Sequence, residues 1–213
     1  MPTGDGSLAN ILGIISVLAL VAANGFFVAA EFSLVAVRRS RVTQLVEAGK
    51  RNARALQRAL NRLDAYLAAC QLGITISSLA LGWVGEPALA RLIEPWLSGL
   101  GSYALAGSHA IAVAIAFTII TALHIVLGEL APKSLALQKS EATALWVVRP
   151  LSAFLFLLRP AIVSLNGLGN LVLRLCGLRP GTAEESMHSP EELKLLIAAS
   201  QEAGLLRQEQ QEV

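Results

Sequence analysis

The chain is poor in almost everything that soluble chemistry uses. Its 213 residues include two cysteines, Cys70 and Cys176, which are too few and too far apart for a disulfide framework or a zinc site. Aromatic residues make up 5%, short of a base-stacking surface, and no nucleic-acid motif is present, so no nucleic-acid partner is expected. Charged residues make up 15%, against about 25% in soluble globular chains. No nucleophile–base pair, phosphate loop or metalloprotease motif occurs, which leaves no enzyme chemistry to assign. The opening MPTGDGSLAN has no Lys or Arg, so the charged start of a secretory signal is also lacking.

What is plentiful is apolar. Hydrophobic residues reach 54% and the mean hydropathy is +0.60. The expected class is an all-α polytopic membrane protein, since a helix needs roughly 20 apolar residues to cross about 30 Å of hydrocarbon. The first crossing is read over residues 11–37, carrying Asn24, Gly25 and Glu31. The second is read over about 66–84, ending near GWVGEP, with Trp83 and Trp96 as interfacial aromatics. The third is read over about 108–127, ending at GELAPKS.

Charge sets the expected orientation. Residues 38–62 hold Arg38, Arg39, Arg41, Lys50, Arg51, Arg54, Arg58 and Arg62 against one acid, Glu47. The positive-inside rule makes this segment cytoplasmic and the N-terminus external. Val42, Leu45 and Val46, then Leu56, Leu60 and Leu63, mark apolar faces of two short helices. Their expected partner is membrane lipid, with the apolar faces lying among anionic headgroups. Residues 142–178 are apolar, but Arg149-Pro150 and Arg159-Pro160 interrupt them. They are expected as broken helices along the cytoplasmic leaflet rather than a full span. The division expected is a transmembrane domain over 1–180 and an acidic cytosolic helix over 181–213, with Ser189, Pro190 and Glu192 as its start. The chain ends within that charged segment, so a further cytosolic domain is expected beyond Val213.

The informative motif is GELAPK, residues 128–133. A proline lacks the N–H that a helix would give to the carbonyl four residues earlier, and its ring crowds that carbonyl. Pro132 therefore frees the Gly128 carbonyl next to the Glu129 carboxylate. Carbonyl and carboxylate oxygens near a membrane helix break suit a hard cation. A plainer reading makes Glu129 and Lys133 an i,i+4 ion pair with Pro132 ending the helix. The second crossing adds Gln71, Thr75, Ser78 and Gly82 on one helical face. The first adds Glu31, with Ser33 beside it and Asn24 two turns earlier. An intramembrane carboxylate is costly, and functional by default. Oxygen-only ligands select Mg²⁺, Ca²⁺, Mn²⁺ or Na⁺. His109 and His124 stand isolated and are read as non-ligands.

FFVAAEFSLVAVRRSRV, CQLGITISSLALGWVGEP and GELAPKSLAL, in that order, resemble the CorC/cyclin M family over residues 8–180. The resemblance implies a magnesium exporter exchanging Mg²⁺ for Na⁺ in the cell membrane. It implies a homodimer, with three transmembrane helices per chain and a belt of juxtamembrane helices. Paired CBS domains that bind ATP would follow. It also implies a dehydrated Mg²⁺ held between the three helices. Carried over, the ligands are Glu129 and the Gly128 carbonyl, Ser78 where the family often has Asn, Thr75, and Ser33 where many relatives have Ala. Glu31 or a backbone carbonyl is the alternative to Ser33. Pro132 and Lys133 shape the site, while Glu31, Asn24 and Gln71 line the cavity as candidates for Na⁺. The rival readings are a non-transporting membrane anchor or sensor for a cytosolic domain, and a passive cation channel.

Overall fold

The computed structural model describes residues 4–98 and 105–177. All described secondary structure is helical: α1 (Gly4–Ala36), α2 (Arg39–Glu47), α3 (Ala53–Leu60), α4 (Leu63–Ser98), α5 (Leu105–Leu123), a π-helical stretch (His124–Leu130), α6 (Ala131–Gln138) and α7 (Ser140–Leu175). Two compact units divide the chain, residues 1–165 and 166–213. In the second, the described part is the last ten residues of α7 with Cys176 and Gly177. The expected acidic helix at 181–213 and its start at Ser189 lie outside the described residues.

Four stretches are long and apolar enough to cross a membrane: Asn10–Ala36, Leu63–Glu94, Ala110–Gln138 and Ser140–Leu175. Their surfaces carry Ile11, Leu12, Ile15, Ile111, Phe117, Val126, Phe156 and Leu157 in the open, which is what lipid-facing helices show. The protein is a polytopic all-α membrane protein.

Two boundaries differ from those expected. The second apolar helix does not stop at GWVGEP; α4 continues through Pro87 to Ser98, 36 residues in all. At 1.5 Å per residue that is about 54 Å, well beyond the hydrocarbon thickness. Nor do Arg149-Pro150 and Arg159-Pro160 break residues 140–175: both prolines sit inside one continuous helix, α7. Both are exposed, so their rings point away from the packed face while Val147, Val148 and Leu151 stay buried. Membrane helices tolerate such prolines where packing holds the helix together. Trp83 is 84% exposed, as an interfacial residue would be; the side chain of Trp96 is outside the described set.

The basic segment folds as two amphipathic helices. After α2, Gly49 takes φ +66°, Lys50 N–H donates to the Leu45 carbonyl and Gly49 N–H to that of Val46. This paired closure needs a left-handed residue, which glycine adopts without a Cβ penalty. The apolar faces do not lie on lipid as expected. Val42, Leu56, Ala59 and Leu60 join Ala30, Leu34, Ala69, Val147 and Val148 in one core, so α1, α4 and α7 cover them. The reason is area: a protein surface of matching shape buries those side chains completely. Asn52 ties the hairpin to α7 by donating to the Leu145 carbonyl at 2.8 Å. All eight basic residues remain exposed.

α1 is the central helix. It packs along α4 on one side and along the π stretch and α6 on another, while α5 packs on α4. The α1–α4 seam is tight. A Cβ on Gly73 would come within 2.5 Å of the Phe27 ring. That ring is held against Phe26 at 5.2 Å and Phe154 at 4.7 Å between centroids, so it has little room to yield. Gly73→Ala is expected to destabilise the bundle by about 1–3 kcal/mol. An SDS unfolding titration would read this, and Phe27→Leu in the same chain should recover part of the loss.

Candidate functional site

Two apolar cores are separated by a polar layer. On one side lie Val17, Val21, Leu81 and Ile120; on the other, Phe27, Ala30, Leu34 and their partners. Between them, by register, stand Asn24 on α1, Ser78 on α4 and His124 at the start of the π stretch. Each falls within about a residue of the midpoint of its apolar span.

A chain of hydrogen bonds links them. Asn24 is fully buried. Its Nδ2 donates to the Gly128 carbonyl at 3.0 Å, and its Oδ1 accepts from Ser78 Oγ at 3.2 Å. Ser78 Oγ is also 3.2 Å from His124 Nε2. Since the serine proton goes to Asn24, the ring must donate to the hydroxyl, which assigns the hydrogen to Nε2. Glu129 Oε1 lies 3.7 Å from the same nitrogen; the two side chains are 22% and 50% exposed, histidine first.

The π stretch creates this geometry. Ala131 N–H reaches back to the Val126 carbonyl, five residues away. The wider turn lets Pro132 fall in the first turn of α6, where a missing N–H costs nothing. The helix therefore does not end at Pro132 but changes gauge and continues to Gln138. The Gly128 carbonyl takes a partner from another helix, the Asn24 amide. Glycines permit the approach: a Cβ on Gly128 would sit 3.0 Å from Asn24 Nδ2 and from His124 Cδ2, and one on Gly25 would meet Pro132 Cγ at 3.0 Å and the Leu127 carbonyl at 3.2 Å.

Comparison with known proteins settles the family. The cyclin M transmembrane N-terminal domain matches residues 14–211. The chain belongs to the cyclin M transmembrane family. This cyclin M domain is 40% identical over 198 residues to the UPF0053 protein YugS of Bacillus subtilis, covering 93% of this chain and 46% of that protein. It is 44% identical over 195 residues to YhdT of the same organism, covering 92% and 42%. An uncharacterized Mycobacterium tuberculosis protein is 42% identical over 194 residues, with 91% and 54% covered. The chain thus spans about half the length of the curated relatives it matches.

Of the residues read from the sequence, the cyclin M fold brings Asn24, Ser78, Gly128 and Glu129 together, with Pro132 behind them. It places others elsewhere. The Ser33 hydroxyl is buried and donates to the Ala30 carbonyl of its own helix. It lies nine residues past Asn24, about 13 Å along α1. Glu31 is half-buried about 10 Å along the same helix. Thr75 donates to the Gln71 carbonyl at 2.8 Å, and both residues are exposed. Lys133 does not pair with Glu129; its Nζ stands 4.5 Å from the centre of the Phe32 ring. The widened turn has swung Lys133 away from the acid, and an aromatic face is a favourable resting place for an ammonium.

His124, read as isolated, stands in the middle of the layer. The one signal for it was its spacing four residues before Gly128; its approach to Glu129, five residues on, depends on the π turn. The side chain of His109 is outside the described set. Among the described residues, no group of three or more His, Cys, Asp or Glu side chains could hold a metal ion. A cation here would depend on one carboxylate and neutral oxygens.

Proposed function

We propose that this cyclin M domain is the membrane part of a magnesium transporter, which exports Mg²⁺ in exchange for Na⁺ entry. One observation carries the reading: a polar layer at the midpoint of three apolar spans, built on an interrupted helix. Ion sites of transporters are commonly built this way, near the midplane, where irregular backbone supplies carbonyls. Glu129 supplies the charge, the Gly128 carbonyl and Ser78 supply neutral oxygens, and Asn24 orients both. Glu31 lies about 10 Å along α1 from Asn24, toward the end that the positive-inside rule places in the cytoplasm, and is the proposed group for Na⁺. Thr75, about 4.5 Å along α4 from Ser78, joins the ligands only after α4 turns toward the layer, and Ser33, about 13 Å along α1, is left out of the proposed set.

The half-exposed Glu129 faces outward from the single chain, which a second copy or a wet cavity would cover; the proposed assembly is a homodimer. The proposed setting is the cell membrane, N-terminus outside and C-terminus cytoplasmic, with ATP acting through CBS domains beyond this chain. The test is calorimetric titration of Mg²⁺ into the detergent-solubilised chain, with and without high Na⁺. Saturable binding weakened by Na⁺ is expected. No saturable binding under either condition would overturn the proposal in favour of a membrane anchor.

A further inference from the structure

Where α3 passes α4 and α7, the structure leaves a pocket of about 550 Å³. Arg58, Asn61 and Arg62 form one wall, and among the described residues no acidic side chain lines it. This sets it apart from the pocket of about 400 Å³ beside α2, where Arg41 is already held by Glu141 at 2.8 Å. The floor is Tyr66 and Ser152, whose oxygens are 2.9 Å apart. Ser152 Oγ gives its hydrogen to the Val148 carbonyl at 2.6 Å, so Tyr66 must donate to Ser152. Both hydroxyl hydrogens are thereby spent inside the protein. The donors left for a ligand are guanidinium and amide groups. Arg58 Nε reaches only its own helix, at 3.4 Å from the Arg54 carbonyl, which leaves its terminal nitrogens.

Two arginines and an amide, with no acid among the described lining residues, form a phosphate receptor. The rest of the lining decides which phosphate. Ala55 and Leu155 supply apolar wall, and Leu155 is followed on α7 by the exposed Phe156 and Leu157. A free phosphate has no use for that surface; an acyl chain does. The pocket also sits beside the basic hairpin, at the end of the bundle that the positive-inside rule places in the cytoplasm. We infer that the pocket between α3, α4 and α7 binds the phosphodiester headgroup of an anionic phospholipid, gripped by Arg58, Asn61 and Arg62, with its acyl chain along α7. Basic pockets between membrane helices on the cytoplasmic side take such headgroups.

The test is native mass spectrometry of the detergent-solubilised chain with added short-chain phosphatidylglycerol, phosphatidylcholine or inorganic phosphate. Saturable binding of phosphatidylglycerol over phosphatidylcholine is expected. At about five-fold per arginine, Arg58→Gln with Arg62→Gln should weaken it about 25-fold. Ala55→Leu, which fills the pocket without altering charge, should weaken it also. Arg51→Gln with Arg54→Gln, outside the pocket, should leave it within about two-fold. Equal binding of the two lipids, equal loss in the outside pair, or phosphate binding without phosphatidylglycerol binding would each overturn the assignment.

Discussion

Replacing Asn24 by leucine is expected to cost the bundle about 2–4 kcal/mol, more than any other single polar change in the layer. Leucine removes the donor to Gly128 and the acceptor for Ser78 together. A buried polar group left without its partner costs about 1–3 kcal/mol; Gly128 loses its donor and Ser78 is left with His124 alone, with no water in the hydrocarbon to compensate. Unfolding in SDS reads the loss, and a change below about 1 kcal/mol would mean that the two bonds to Asn24 do not hold the layer together.

Glu129→Gln is expected to weaken Mg²⁺ binding at least about 30-fold while leaving the fold unchanged. A divalent ion and a carboxylate about 4 Å apart attract by about 2 kcal/mol in water and about 8 kcal/mol at an effective dielectric of 20. Glu129 is half-exposed, so its contribution falls between these limits. Even the lower value is about 30-fold in affinity. Glutamine keeps the shape and an oxygen, so helical content and unfolding midpoint should not move. Mg²⁺ titration of the two proteins side by side reads the effect. Unaltered affinity would remove Glu129 from the ligand set and leave it as the neighbour of His124.

The contrast between Gly128 and His124 shows what a sequence makes legible. Pro132 marks the backbone around Gly128 as irregular by a local rule, so a carbonyl there with a partner on another helix could be looked for. The His124–Glu129 approach could not. Residues five apart on an α-helix differ by about 140° in direction, which puts them on different faces. Only the wider π turn stacks them, and nothing in LHIVLGELAPK announces that turn. The fold divides the same way. The first span and the two basic helices follow from apolar runs and charge. GWVGEP and the two Arg-Pro pairs read as stops because the rule for proline is statistical, whereas packing along α4 and α7 is particular. The destination of Val42, Leu56 and Leu60 was also hidden, since periodicity gives a face but not its partner.

The stretch His124–Leu130 has a consequence for deletion. One surplus residue is wound into that turn, and each residue of an α-helix advances the azimuth by about 100°. Removing a single residue there would let the segment relax to ordinary pitch without breaking it. Everything downstream would keep its helical form but meet the bundle with a different face. Pro132 would turn off Gly25, Lys133 off Phe32, and Gly128 away from Asn24. Sequence length between Leu123 and Ala131 thus works as a phase setting, one that substitutions cannot reproduce.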